Sequence, residues 1–156
     1  MQRNSPTSNP NEIVQAGLLA LKQRRFQEAF AAFDTLIKRG VENASIWLAL
    51  AYAAKGIGNK EALVAAVGKS LELEPRNPRA YILKADMFSE EGDPQAAAAF
   101  YSQALNLAPA PEQTPADLKP ELERAQQQYT AITQSFQNHL VSQLDLDLEK
   151  AGADGM

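Results

Sequence analysis

Few residues of this 156-residue chain have the types and spacing to do chemistry. It has one histidine, His139, and no cysteine. Without cysteine there is neither a disulfide framework nor a thiolate metal site. His139 falls in a segment with helical spacing and has no serine–histidine–aspartate set around it, so it reads as a solvated or partly packed helix residue. Asp145, Asp147 and Glu149 alternate near the C-terminus. Their oxygens could attract a hard cation, but the spacing reads more simply as a solvated acidic end. Gly56-x-Gly58 precedes a helical segment and follows no strand, so it lacks the strand–turn–helix context of a phosphate-binding loop. These residues imply no enzyme, no cofactor and no metal.

Composition narrows the partners. The formal charge is −4, with no basic stripe of the kind that displaces counterions from nucleic acid, so no nucleic-acid partner is expected. Met1–Asn9 is polar and carries no apolar run of a secretory signal. No segment has the apolar length needed to cross a bilayer. The expectation is a cytoplasmic chain with no membrane partner. Hydrophobic residues make up 45% of the chain but aromatic ones only 7%. Alanine supplies much of the difference, and small side chains let helices approach closely.

The elements follow from a period. Leu71-Glu72-Leu73-Glu74-Pro75 and Leu105-Asn106-Leu107-Ala108-Pro109 lie 34 residues apart, the period of a helical-hairpin repeat. Shifted by that amount, Ile13, Trp47 and Tyr81 fall in one large apolar column, and Gly17, Ala51 and Ala85 in a small one. Phe33, Val67 and Tyr101 align, as do Leu36, Ser70 and Ala104. Gly58 and Gly92 align at the turn within a hairpin. Asn9-Pro10, Asn77-Pro78 and Asp93-Pro94 each offer a side-chain cap followed by a proline where no amide partner is lost. Helices are therefore predicted over 10–24, 26–39, 44–55, 60–73, 78–91 and 94–107. Trp47, in the hairpin-packing column, is expected in the core.

These columns resemble the tetratricopeptide repeat family, whose pattern W-x2-L-G-x2-Y…A-x3-F…P is seen best in Trp47-x2-Leu50-Ala51 running to Pro75. The third unit carries Tyr81, Ala85, Phe88, Ala97, Tyr101, Ala104 and Pro109, and the first has Gly17, Phe26, Ala29 and Phe33 without a closing proline. The resemblance implies an all-α fold, a right-handed superhelical stack of three hairpins (10–43, 44–77, 78–111) with a long C-terminal capping helix. It also implies a non-enzymatic scaffold whose concave groove takes a peptide or helix of a protein partner. The family's groove columns fall here on Val14, Leu18 and Leu21, then Leu48, Tyr52 and Lys55, then Arg79, Ile82 and Asp86. One subclass clamps a C-terminal carboxylate with basic residues, but the matching positions read Val14, Leu18, Ala49, Arg79 and Leu83, and only Arg79 keeps the charge type. The expected groove is therefore apolar. Its alternative covering is the protein itself, through a second subunit, the N-terminal tail or the long helix.

After Pro109 the pattern changes. A disordered tail is expected over 1–9, a Pro-rich connector over 112–119, a capping helix over 120–145 and a flexible acidic tail over 146–156. Leu118, Leu122, Ala125, Tyr129, Ile132, Phe136, Leu140 and Leu144 form one apolar stripe, and Gln126, Gln127, Gln128, Gln134 and Gln137 supply a polar outer face. This region, with Lys119-Pro120-Glu121-Leu122-Glu123-Arg124-Ala125, Tyr129 and Phe136-x2-His139-Leu140, is similar to the repeat-to-helix junction of bacterial aspartyl/asparaginyl β-hydroxylase-like proteins. That resemblance implies a non-catalytic repeat region, since a single histidine cannot complete a two-histidine, one-carboxylate iron site. A self-associating structural unit, possible as a homodimer, is the third reading.

Overall fold

The computed structural model describes residues 9–154, with side chains to 152, and the tail expected over 1–9 falls outside it but for Asn9. Among the described residues the chain is all-α: α1 (Pro10–Lys22), α2 (Phe26–Lys38), α3 (Ala44–Ile57), α4 (Lys60–Leu73), α5 (Pro78–Glu90), α6 (Pro94–Asn106), a 3-10 turn (Pro111–Gln113) and α7 (Leu118–Asp154). The described residues divide into two compact units, one up to Ala80 and one from Tyr81.

Capping chemistry sets where the helices begin. The side-chain oxygens of Asn9, Asn77 and Asp93 accept from the backbone N–H of Asn11, Arg79 and Ala96 at 2.8, 3.0 and 3.1 Å. Asn43 and Asn59 do the same for Ile46 and Ala62 at 2.9 and 3.0 Å, starting α3 and α4 without a proline. Each satisfies an amide that has no partner inside its helix.

The turn within each hairpin repeats at the sequence period. Arg25, Asn59 and Asp93 donate their backbone N–H to the carbonyls of Ala20, Ala54 and Phe88 at 2.8, 2.9 and 2.9 Å. The residue before each donor is left-handed: Arg24, Gly58 and Gly92, with φ of 59°, 75° and 80°. This closure needs a positive φ, which glycine adopts without a Cβ penalty. Arg24 adopts it where the other two hairpins have glycine.

In the first unit α1 packs on α2, α2 on α3 and α3 on α4. Close approach depends on two glycines. A Cβ at Gly17 would lie 2.7 Å from the Phe33 ring, and one at Gly56 would lie 2.1 Å from the Phe26 ring. The first marks the α1–α2 crossing and the second brings the start of α2 against α3. Ser70, fully buried in α4, donates its hydroxyl to the Ala44 carbonyl at 3.1 Å, so the polar member of an otherwise apolar column is satisfied. Trp47 is only half-buried, and its indole N–H points to Glu42 at 3.4 Å.

In the second unit Ile82, Ala85, Ala97, Tyr101, Ala104 and Ala125 form the core, with Leu122, Tyr129 and Ile132 of α7 packed against it. Phe100 stacks between Tyr81 and Phe88, ring centroids 6.4 and 5.4 Å away, with the Lys84 ammonium 4.7 Å over its face.

α7 departs from expectation at both ends. It starts at Leu118, not Pro120. Pro120 sits in the first turn, where its missing N–H costs nothing. The helix then runs through the segment expected as a flexible tail and reaches Asp154. Residues 145–151 contain Leu, Glu, Lys and Ala with no Gly or Pro, and the helix propensity of those four residues prevails over the acidic, Gly-containing composition that suggested a tail.

Candidate functional site

α1 carries two apolar stripes, each at i, i+4, i+7 spacing and offset by one residue. Ile13, Gly17 and Ala20 form the first and are buried. Val14, Leu18 and Leu21 form the other, with Val14 and Leu21 half-buried and Leu18 45% exposed. One residue of offset turns a side chain about 100° around the axis. The buried stripe therefore faces the α2 crossing at Phe33, and the Val14–Leu18–Leu21 stripe is turned away from that crossing. α3 touches α1 within the same unit and carries the next three expected groove residues, Leu48, Tyr52 and Lys55. Leu48 is buried, Tyr52 half-buried and Lys55 exposed. Arg79, at the start of α5, is half-buried.

The two remaining expected groove residues belong to the interior of the second unit. Ile82 is 2% exposed within its core. Asp86 is 7% exposed and fully engaged. The Arg124 guanidinium donates to both of its carboxylate oxygens at 2.9 Å each, and the Tyr101 hydroxyl donates to Oδ1 at 2.5 Å. Arg124 also donates to Glu121 at 3.1 Å. The placement of Ile82 and Asp86 on an open wall is therefore corrected. The repeat column identifies a helix face, but α6 and α7 of the same unit cover it.

This knot of four side chains is structural. Burial, then the hydrogen bond to Asp86, holds the Tyr101 phenol above its ordinary value. The hydrogen bonds from Arg124 to Asp86 hold the guanidinium charged against the opposing cost of desolvation. Such a tyrosine is neither a nucleophile nor a base, and a bidentate arginine–carboxylate pair favours a fixed geometry. Arg124 lies 38 residues from Asp86 in sequence, and no local pattern announces the pairing.

His139 is exposed on α7, as are Asp145, Asp147 and Glu149, of which the helix turns Asp147 to the side opposite the other two. No group of three or more His, Cys, Asp or Glu that could hold a metal ion occurs among the described residues. No helix among them is long and apolar enough to cross a membrane.

Comparison with known proteins agrees with the hairpins. Two tetratricopeptide-repeat family models match residues 14–62 and 78–111, together more than half of the chain. No curated protein matches the chain in sequence. Among solved structures it is similar to PcrH from Pseudomonas aeruginosa in complex with the chaperone binding region of PopD, with a TM-score of 0.70 and 19% identity over 86% of this chain and 98% of that one. It is also similar to the Yersinia enterocolitica type III secretion translocator chaperone SycD, with a TM-score of 0.69 and 13% identity over 81% of this chain and 85% of that one. SycD in complex with a peptide of the translocator YopD gives a TM-score of 0.67 and 12% identity, over 84% and 98% of the two chains. None of these matches concerns an aspartyl/asparaginyl β-hydroxylase. With the period, the recurring turn and both family models in agreement, the chain belongs to the tetratricopeptide repeat family.

Proposed function

We propose that this protein is a non-enzymatic interaction scaffold that binds an apolar peptide or helix of a protein partner on the α1–α3 face of its first unit. The observation that carries this reading is Leu18, 45% exposed on a stripe whose other members, Val14 and Leu21, are half-buried. A helix that has already buried one apolar stripe in its hairpin gains nothing in folding from another that stays open. Exposed apolar surface of this kind marks contact sites. Tyr52 supplies an aromatic anchor, and Lys22 on α1 and Lys55 on α3 bring positive charge to the same two helices, suited to acidic residues flanking an apolar segment. Similar structures that hold a partner segment, PcrH with PopD and SycD with YopD, support the same mode.

The binding mode is helix or extended peptide laid in a surface trough, with affinity from a few buried apolar anchors. Leu18→Asp and Tyr52→Ala test it. Leu18 is exposed and Tyr52 half-buried, so both variants should keep the native helix content by circular dichroism, and Leu18→Asp its unfolding midpoint as well. Each should weaken partner capture from cell extract by roughly tenfold, the effect of removing an interface anchor. Undiminished capture by folded variants would rule out this face.

A further inference from the structure

The apolar stripe of α7 passes from buried to exposed along a single helix. Leu118 and Ala125 are buried, Leu122, Tyr129, Ile132 and Phe136 half-buried, and every residue from 137 to 152 is exposed. Leu140, Val141, Leu144 and Leu148 are 57–70% exposed. Leu140, Leu144 and Leu148 stand in line at four-residue steps with Val141 beside them, a continuous face about 100° wide. An isolated helix end of this length is marginal in water, and helices generally draw their stability from packing an amphipathic face. No described residue of the second unit buries this one.

Charge selects what does. Asp145 follows Val141 by four residues and borders one edge of the stripe. Asp147 follows Leu144 by three and borders the other, with the Gln143 amide donating to it at 3.3 Å. Glu149 adds a third carboxylate, and Lys150 is the one basic residue between 140 and 152. An acidic border repels anionic bilayer surfaces, and interfacial membrane helices carry the opposite charge. A second copy laid parallel on the same face would set like carboxylates together. Laid antiparallel about Leu144, it would set Asp145 against Gln143 and Asp147 against Val141, with no cation for either. A helix with an apolar face and lysine or arginine along its edges meets both requirements at once.

We infer that the last turns of α7, residues 140–151, are a second docking site, for a basic amphipathic helix of a partner protein. This site is built from other residues than the α1–α3 face and does not depend on it.

The test uses the full chain and two synthetic helices of identical leucine pattern, one with lysine and one with glutamate at all flanking positions, read by fluorescence anisotropy. The lysine helix should bind, more weakly as salt rises, and the glutamate helix should not. Leu140→Gln/Leu144→Gln should weaken binding of the lysine helix by roughly tenfold. Asp145→Asn/Asp147→Asn should remove most of the salt dependence. All four substitutions are at exposed positions, so helix content by circular dichroism should not change. Equal binding of both helices, or undiminished binding by the leucine variant, would overturn the proposal. So would a concentration-dependent dimer in sedimentation velocity that the leucine variant abolishes, since a second copy would then be the occupant.

Discussion

Asp86, Tyr101 and Arg124 show how far one residue's setting decides its role. By column Asp86 belongs to a groove, but by contact it is the acceptor that ties α7 to α5 and α6. Removing Arg124 leaves a buried carboxylate with one partner fewer, so Arg124→Met should lower stability by about 1–3 kcal/mol in urea unfolding. Tyr101→Phe should cost about 1.5–3 kcal/mol, and the double variant should show non-additivity of about 0.5–3 kcal/mol, because the two share one acceptor. The pH dependence has a defined sign. The folded-state value of Tyr101 lies above its ordinary 10.0, so the native state holds that proton more tightly than the unfolded chain. Its contribution to stability is complete below pH 10 and is lost as pH rises through the folded-state value. An ultraviolet titration of the four tyrosines should therefore show one delayed phenol, absent in Tyr101→Phe. None of this was legible in the sequence, because a contact 38 residues apart leaves no periodic trace. By contrast the capping residues were legible at Asn9, Asn77 and Asp93, where a following proline advertises them. Asn43 and Asn59 cap equally well without that flag.

The six repeat helices were readable to within two residues at each end, because the 34-residue period, the caps and the αL turns act locally and agree. The end of α7 runs further than expected because an acidic, Gly-containing stretch reads as a solvated tail, while Leu, Glu, Lys and Ala carry the helix on. The helix crossings make a sharper test of the packing. Gly56→Ala places a Cβ inside the Phe26 ring and should destabilise by about 1–3 kcal/mol through overpacking. Gly68→Ala meets nothing within 4 Å on an exposed face of α4 and should stabilise by about 0.5–1 kcal/mol through helix propensity. Opposite shifts in the urea midpoint, with an unchanged m-value, would match these crossings. Shifts of the same sign would not.

At the scale of the whole molecule, the described residues are helices and their connections, as the repeat family requires. The Asp86–Tyr101–Arg124 knot holds α7, the histidine is exposed, and apolar stripes on α1 and on the end of α7 are among the exposed apolar surface of the described residues. The α1 stripe came from the resemblance, whose groove columns fall on Val14, Leu18 and Leu21. The sequence offered the long helix as one alternative cover but could not single out Ile82 and Asp86, because a repeat column records which way a side chain faces and not what comes to cover it. The central claim is that the α1–α3 face holds the partner. Photo-cross-linking tests it most directly, with a benzophenone side chain at Leu18 and, as control, at Val64, which is 51% exposed on α4. The account predicts a discrete partner adduct from position 18 that competes with an unlabelled partner peptide, and none from position 64. An adduct of equal yield from both positions, or from position 64 alone, would contradict it.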